Sequence, residues 1–370
     1  MNSTKTGSYS KLIAFFLIAV ILLCTFGFAV EGWQTGDQEL SDAAGNNSGE
    51  NTANDSDSEL PPEEETAKPA EPIIPKYINA LTGLEITEDE SKNSHICLVF
   101  SANTPLYGIS SSDILVEIPT EGDTTRYIVF TSNAKKLGKI GSISPTRAYI
   151  SNISNFFNIP LISYGNDDSL VYDSLSHSSH FDLIKYSGYH YTEYSLFNYT
   201  NGDLLTAGLN NSGIGNMVTL PTLPYKFNNF GNANIIGSIS AKSVTIPISS
   251  TATTEFYYSA SDEKYTMWQN GSVKKDLLND YALSFDNIFI LSADTVTYEN
   301  ENSTQMIMNT LGSGKGVYIS HGSAQSITWT TDSHGDLTFY DEAENQLTVN
   351  RGSSYIGYIK SSKIFEISIS

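Results

Sequence analysis

The stretch "SSDILVEIPTEGDTTRYIVF", residues 111–130, decides the reading of this chain. Two apolar runs, DILVEIP at 113–119 and RYIVFTS at 126–132, flank TEGDT at 120–124, which has the Gly, Asp and Thr content of a turn. The spacing predicts a β-hairpin. It would bring the ends of Glu117, Glu121 and Arg126 close together.

Working outward, HICLVF at 95–100 reads as another strand, and SANTPLYGISSS at 101–112 as a turn-rich connection. In SPTRAYISNISNFFNIP, 144–160, apolar residues Ala148, Ile150, Ile153, Phe156 and Phe157 recur at helical spacing. Ser144 or Thr146 could cap that helix, with Pro145 early in it and Arg147 in its first turn. PLISYG, 160–165, is a short strand, and DDSLVYDSLSH, 167–177, could begin a second helix. This alternation predicts a mixed α/β domain over residues 76–240. From 241 to 370 short β-rich runs such as TEFYYSA, NIFILSADTV and SITWTT are punctuated by NG and HG, which predicts a β-rich second domain. The whole is an α+β chain. VKKDLLNDYA, 273–282, and STQMIMNTLG, 303–312, read as brief helical or loop excursions.

The N-terminus is different in kind. LIAFFLIAVILLCTFGFAV, residues 12–30, is uncharged and about as long as a bilayer crossing requires. Lys5 and Lys11 precede it, and Glu31, Asp37 and Glu39 follow. That bias places the N-terminus in the cytoplasm and the remainder outside. Residues 1–30 therefore read as a signal peptide or membrane anchor: an uncleaved anchor, lipidation at Cys24 and cleavage after Ala29 all remain open. Residues 31–75 are acidic, rich in Asn, Ser and Pro and poor in large apolar residues, the composition of a disordered tether. The expected location is the cell membrane, with the folded domains extracytoplasmic.

A formal charge of −21 opposes any broad polyanionic partner, so nucleic acid is excluded as a partner class. The cysteines are Cys24 and Cys97 alone, and no disulfide is expected within the exported portion. Neither HExxH nor G-x-S-x-G occurs. LGSGKGVY, 311–318, lacks the full phosphate-loop pattern and reads better as a strand-linking turn. Asp173, His177 and His180 are spaced like metal ligands on a helix, but a polar surface is the preferred reading. No cofactor and no metal site is assigned.

Of twenty basic residues only Arg126, Arg147 and Arg351 are arginines. A guanidinium offers a planar fork suited to phosphate or carboxylate. Glu117 and Glu121 beside Arg126 and Arg147 could therefore supply acid, base and anion-gripping groups. The competing reading, favoured on composition, pairs Arg126 with Glu117 or Glu121 to fix the hairpin, while Arg147 ties down the next segment.

These segments resemble the YerB-like lipoprotein family, DUF3048, across residues 79–365. LTGLEI, 81–86, is similar to its opening signature, and 111–130 to its E-x-x-x-E-G-x-x-T-R stretch, matching Glu117, Glu121, Gly122, Thr125 and Arg126. KIGSISPTRAY, 139–149, resembles RIGPVRSAR, with Lys139, Gly141 and Arg147 corresponding and Ser144 in place of an arginine. EYSLFNYTNGDLL keeps Asn198, Tyr199 and Thr200, but Phe197 stands where the family often has histidine. Ser163 lies in a stretch where a histidine-containing turn is common, and Met267 at a position often basic.

The resemblance adds Lys139 and Asn198 to Arg126 and Arg147 as candidate ligand-binding residues, beside Glu117 and Glu121 as candidate catalytic ones. It implies an envelope location and no established activity. Two functions stand in competition. One is a binding or structural module contacting a cell-wall polymer or another envelope protein. The other is an envelope enzyme acting on a phosphorylated or acidic glycan.

Overall fold

A computed structural model describes residues 73–166, 179–216, 220–232, 234–300 and 303–370. Residues 12–30, the tether up to 72, and the segment 167–177 read as a helix start lie outside the described residues. Three layers emerge: a large mixed sheet, a smaller antiparallel sheet against one face, and a helix with extended segments against the other.

The hairpin expected at 111–130 is present. β1 (Ile96–Ser101), β2 (Ile114–Pro119) and β3 (Thr125–Thr131) form its surroundings, β3 pairing antiparallel with both of the others. All six residues of β2 are buried. A strand covered on both faces has no solvent side to mark with polar residues, which is why 113–119 reads as a continuous apolar run. The reversal is made at Glu121–Asp123, where Gly122 (φ 67°) and Asp123 (φ 57°) adopt left-handed conformations. Both residue types tolerate that region better than most.

Outward from β1 the sheet continues through β4 (Ile140–Ile143), with β5 (Leu161–Ser163) and β6 (His180–Asp182) branching from β1, to β7 (Tyr191–Glu193) and β8 (Phe197–Thr200). The predicted helix is α1 (Ala148–Phe156); a second, α2 (Gly202–Ser212), is capped by Asn201, whose side chain accepts from the Leu204 amide. These are the two α-helices among the described residues of this half. This half is richer in strand than the mixed α/β reading of 76–240 implies: short strands and 3₁₀ turns occupy most of the connections among its described residues.

The second half supplies β9 (Ile239–Ser240), β10 (Ser243–Pro247), β11 (Thr253–Ser259), β12 (Lys264–Gln269), β13 (Asn287–Ala293), β14 (Ser313–Ser320), β15 (Ser323–Thr331), β16 (Leu337–Tyr340), β17 (Ser354–Lys360) and β18 (Ser368–Ile369). STQMIMNTLG is a strand over Ser303–Met308, paired with Thr295–Asn300. LGSGKGVY enters β14 itself and is not the turn expected. Its glycines allow close backbone approach: a Cβ on Gly314 would lie 2.3 Å from the Ser292 carbonyl oxygen, and one on Gly316 2.6 Å from that of Ile290.

The large sheet does not stop at the boundary between halves. Its order is β9-β15-β14-β13-β17-β2-β3-β1-β4-β8-β7, and β17 runs parallel to both β13 and β2, with Val116 opposite Ile356 and Glu117 opposite Gly357. Pro69–Ser370 accordingly forms one unit. One core lies between the sheets and holds Leu115, Tyr127, Phe256, Met267 and Tyr355. The other, on the helix side, holds Val116, Ile128, Ile150, Phe289 and Trp329.

Phe289 is fully buried, stacked with Tyr225 at 5.2 Å and Tyr318 at 5.0 Å between centroids. Phe289→Ala is expected to lower unfolding free energy by about 3–5 kcal/mol, read from urea denaturation. Because the sheet is shared, fluorescence and circular dichroism should report a single coincident transition. Two separated transitions would show that the halves unfold independently.

Candidate functional site

Strand alternation sorts the candidate residues before any chemistry is considered. In the β2–β3 register Glu117 faces Tyr127 and Ile118 faces Arg126. Neighbouring pairs point to opposite faces of a sheet. Glu117 and Tyr127 therefore enter the core between the sheets, while Arg126 lies on the face of α1. The proposed constellation is divided by the sheet itself.

Glu117 is fully buried. Its Oε2 accepts from Thr254 Oγ1 and Tyr355 Oη, each at 2.7 Å, and its Oε1 accepts from Gln269 Nε2 at 2.9 Å. Lys274 donates to Gln269 Oε1 at 2.7 Å and to the Ala102 carbonyl at 3.3 Å, with its Nζ 5.2 Å from the Tyr127 ring centroid. Residues from both halves thus surround one carboxylate. Burial raises the Glu117 pKa, against the opposing effects of Tyr355, Thr254, Lys274 and Tyr127, and burial lowers that of Lys274. The carboxylate itself is engaged by the chain's own groups and, fully buried, presents no face to a substrate.

Glu121, at the start of the turn, reaches the other face. Its carboxylate receives both Nε and Nη2 of Arg147, the Nε contact being 3.3 Å. Arg147 is the N-cap residue of α1, and its side chain is 7% exposed against 27% for Glu121. This forked pair fastens the hairpin turn to the helix start. Arg126 lies on the same side, its pKa lowered by burial and raised back in part by Tyr149 of α1. The structure brings Glu121, Arg126 and Arg147 to one side and leaves Glu117 on the other.

Arg351, the third arginine, donates to the carbonyls of Gly83 (2.5 Å) and Asn228 (2.8 Å) and stacks on Phe230 at 3.6 Å. It too joins distant segments.

Lys139 and Asn198 sit together at the β4–β8–β7 end. Lys139 Nζ donates to both carboxylate oxygens of Glu193 at 2.8 Å and lies 4.1 Å from the Tyr107 ring centroid and 4.0 Å from that of Tyr199. The ammonium is enclosed by an acid and two aromatic faces. Asn198 Oδ1 accepts from Thr192 Oγ1 at 2.9 Å.

One polar grouping was missed in the sequence. Ser163 and His180 meet at 2.9 Å between Oγ and Nε2, and Asp182 Oδ1 accepts from the Gly165 amide at 2.9 Å. The parallel register of β5 and β6, with Leu161 opposite His180 and Ser163 opposite Asp182, creates it. Ser163 also reaches the Gly165 carbonyl at 2.8 Å. A carbonyl only accepts, so Ser163 donates there and receives the Nε2 proton of His180. That polarity is the reverse of nucleophile activation, and Ser163 is fully buried. Burial also lowers the His180 pKa, which keeps the ring neutral. Asp173 and His177 lie outside the described residues. Among the described residues no group of three or more His, Cys, Asp or Glu could hold a metal ion, and Cys97 is a buried free thiol.

One large sheet built from both halves, a smaller sheet packed on it and a buried carboxylate held between them define the fold. Residues 81–213 match the family described as "Protein of unknown function (DUF3048) N-terminal domain" and 244–356 the corresponding C-terminal domain, so the chain belongs to the DUF3048 family. The fold is similar to the solved structure of YerB protein from Bacillus subtilis, with a TM-score of 0.67 and 18% sequence identity over 80% of this chain and 100% of that one. No curated protein matches.

Two substitutions test this geometry. Glu117 binds its proton more tightly in the folded chain than in the unfolded one, since its pKa is raised above 4.5. The associated stabilisation is full below that unfolded value and is lost as pH rises through the folded pKa. Urea midpoints of the native protein should therefore fall over this interval relative to those of Glu117→Gln, which cannot titrate there. Parallel pH profiles would refute the assignment. Lys139→Met should cost about 1–2 kcal/mol through loss of the ring and carboxylate contacts; an unchanged thermal midpoint would show that the enclosure contributes nothing.

Proposed function

We propose that this chain is an extracytoplasmic cell-envelope protein that binds or organises an envelope component, a wall polymer or another protein, without transforming it. The observation that carries this reading is the enclosure of Glu117: this carboxylate, one of the two read from the sequence as candidates for acid–base work, accepts three hydrogen bonds from the chain itself inside the core. A general acid or base must come within hydrogen-bond reach of its substrate. Lys139 is likewise engaged by Glu193, and Arg147 by Glu121. The apolar run 12–30 and the acidic stretch 31–75 support placement outside the membrane.

A second reading, an envelope enzyme acting on a phosphorylated or acidic glycan, keeps one specific support. Glu121 retains partial exposure on the same side of the sheet as Arg126 and Arg147.

Protease added to intact spheroplasts should remove the folded portion while a cytoplasmic marker survives, and purified full chain should sediment with envelope material more strongly than a peptide of residues 31–75. Protection from external protease, or sedimentation no greater than the peptide's, would overturn the proposal. Turnover of any envelope fraction that is lost in a folded Arg147→Gln protein would instead establish the second reading.

A further inference from the structure

The smaller sheet covers Ile319 and Ala324 of β14 and β15 but leaves Lys315, Ser326 and Thr328 of the same two strands exposed. There β14 and β15 form the floor of a groove of about 590 Å³, with Lys315, Val317 and Thr328 on it and Ile364, Ile367 and Ile369 along one wall. Ile239 of the two-residue edge strand β9 stands at its lip and is half exposed. Phe365 belongs to the same turn, Ser361–Glu366, as the wall residue Ile364. It is 95% exposed and does not enter the groove of its own chain.

We infer that this groove is the contact surface for a second copy of the chain, with Phe365 of each copy entering the groove of the other. A two-fold contact requires the projecting and the receiving feature on one surface of one molecule, so that each copy offers both. Phe365 and the groove beside it meet that requirement.

Charge selects this occupant over a foreign segment. The groove lining includes one cation, Lys315, and two acids, Asp341 and Glu342. A two-fold operation can set the ammonium of each copy against the acids of the other. A segment bearing one sign of charge would meet like charge at one part of the lining. The apolar wall supplies the burial and Phe365 the anchor, since interface energy concentrates in large side chains seated in closed pockets.

The test uses full chain in detergent with Cys24→Ala, leaving buried Cys97 as the native thiol. Protein carrying Glu366→Cys, the exposed neighbour of Phe365 in the same turn, is mixed with protein carrying Ile239→Cys and oxidised. The expected result is a covalent dimer joining the two, formed well above the level reached when Glu366→Cys is mixed with Tyr194→Cys, an exposed position outside the groove. Independently, Phe365→Ala should raise the dimer dissociation constant about tenfold or more in sedimentation equilibrium. Cross-linking no greater than the Tyr194 control, or self-association unchanged by Phe365→Ala, would overturn the inference, including the case in which a peptide or lipid occupies the groove instead.

Discussion

The parallel pairing of β2 with β17 is the constraint on which the remainder depends. It joins Ile114–Glu117 to Ser354–Gly357, segments far apart in the chain, and makes one sheet of strands from both halves. Directly beneath this seam Glu117 collects Tyr355 from β17, Thr254 from β11 and Gln269 from β12. The carboxylate therefore specifies how the second sheet sits on the first. A buried charge is a poor source of net stability, but its geometric demands disfavour alternative packings in which its donors are misplaced. Here those donors come from three strands.

The same constraint explains the arginines. Two of them join elements distant in sequence: Arg147 ties α1 to the hairpin turn, and Arg351 ties the C-terminal half to Gly83 and Asn228. Guanidinium forks suit this work because several donors are fixed in one plane.

Much of the local fold was legible. The runs at 95–100, 113–119 and 126–132 and the helical spacing after 147 are local signals, and the structure places strands and a helix there. The closure of β17 onto β2 was not, because a continuous apolar run records burial without naming its partner. The same gap hid which face of the sheet each candidate residue takes. Proximity in a hairpin suggested that Glu117, Glu121 and Arg126 converge, but the register sets Ile118, not Glu117, opposite Arg126, and a shift of one residue changes the face. Ser163 and His180 were hidden for a related reason. Their meeting depends on parallel pairing across a connection whose residues carry no marker of register.

Engagement of the basic groups also bears on the class of ligand. For an anion to use Arg147 it must displace Glu121, and to use Lys139 it must displace Glu193 from an ammonium already packed against two rings. Each exchange removes a formed charge pair before a new one is gained, so the net attraction for an anion is much smaller than that of a free cation. The surrounding field, set by a formal charge of −21, acts in the same direction. Recognition through shape, apolar area and neutral hydrogen bonding meets neither obstacle. At these two positions the arrangement of charge weakens the attraction for a strongly anionic group, and does so through the same ion pairs that hold the hairpin and the sheet end in place.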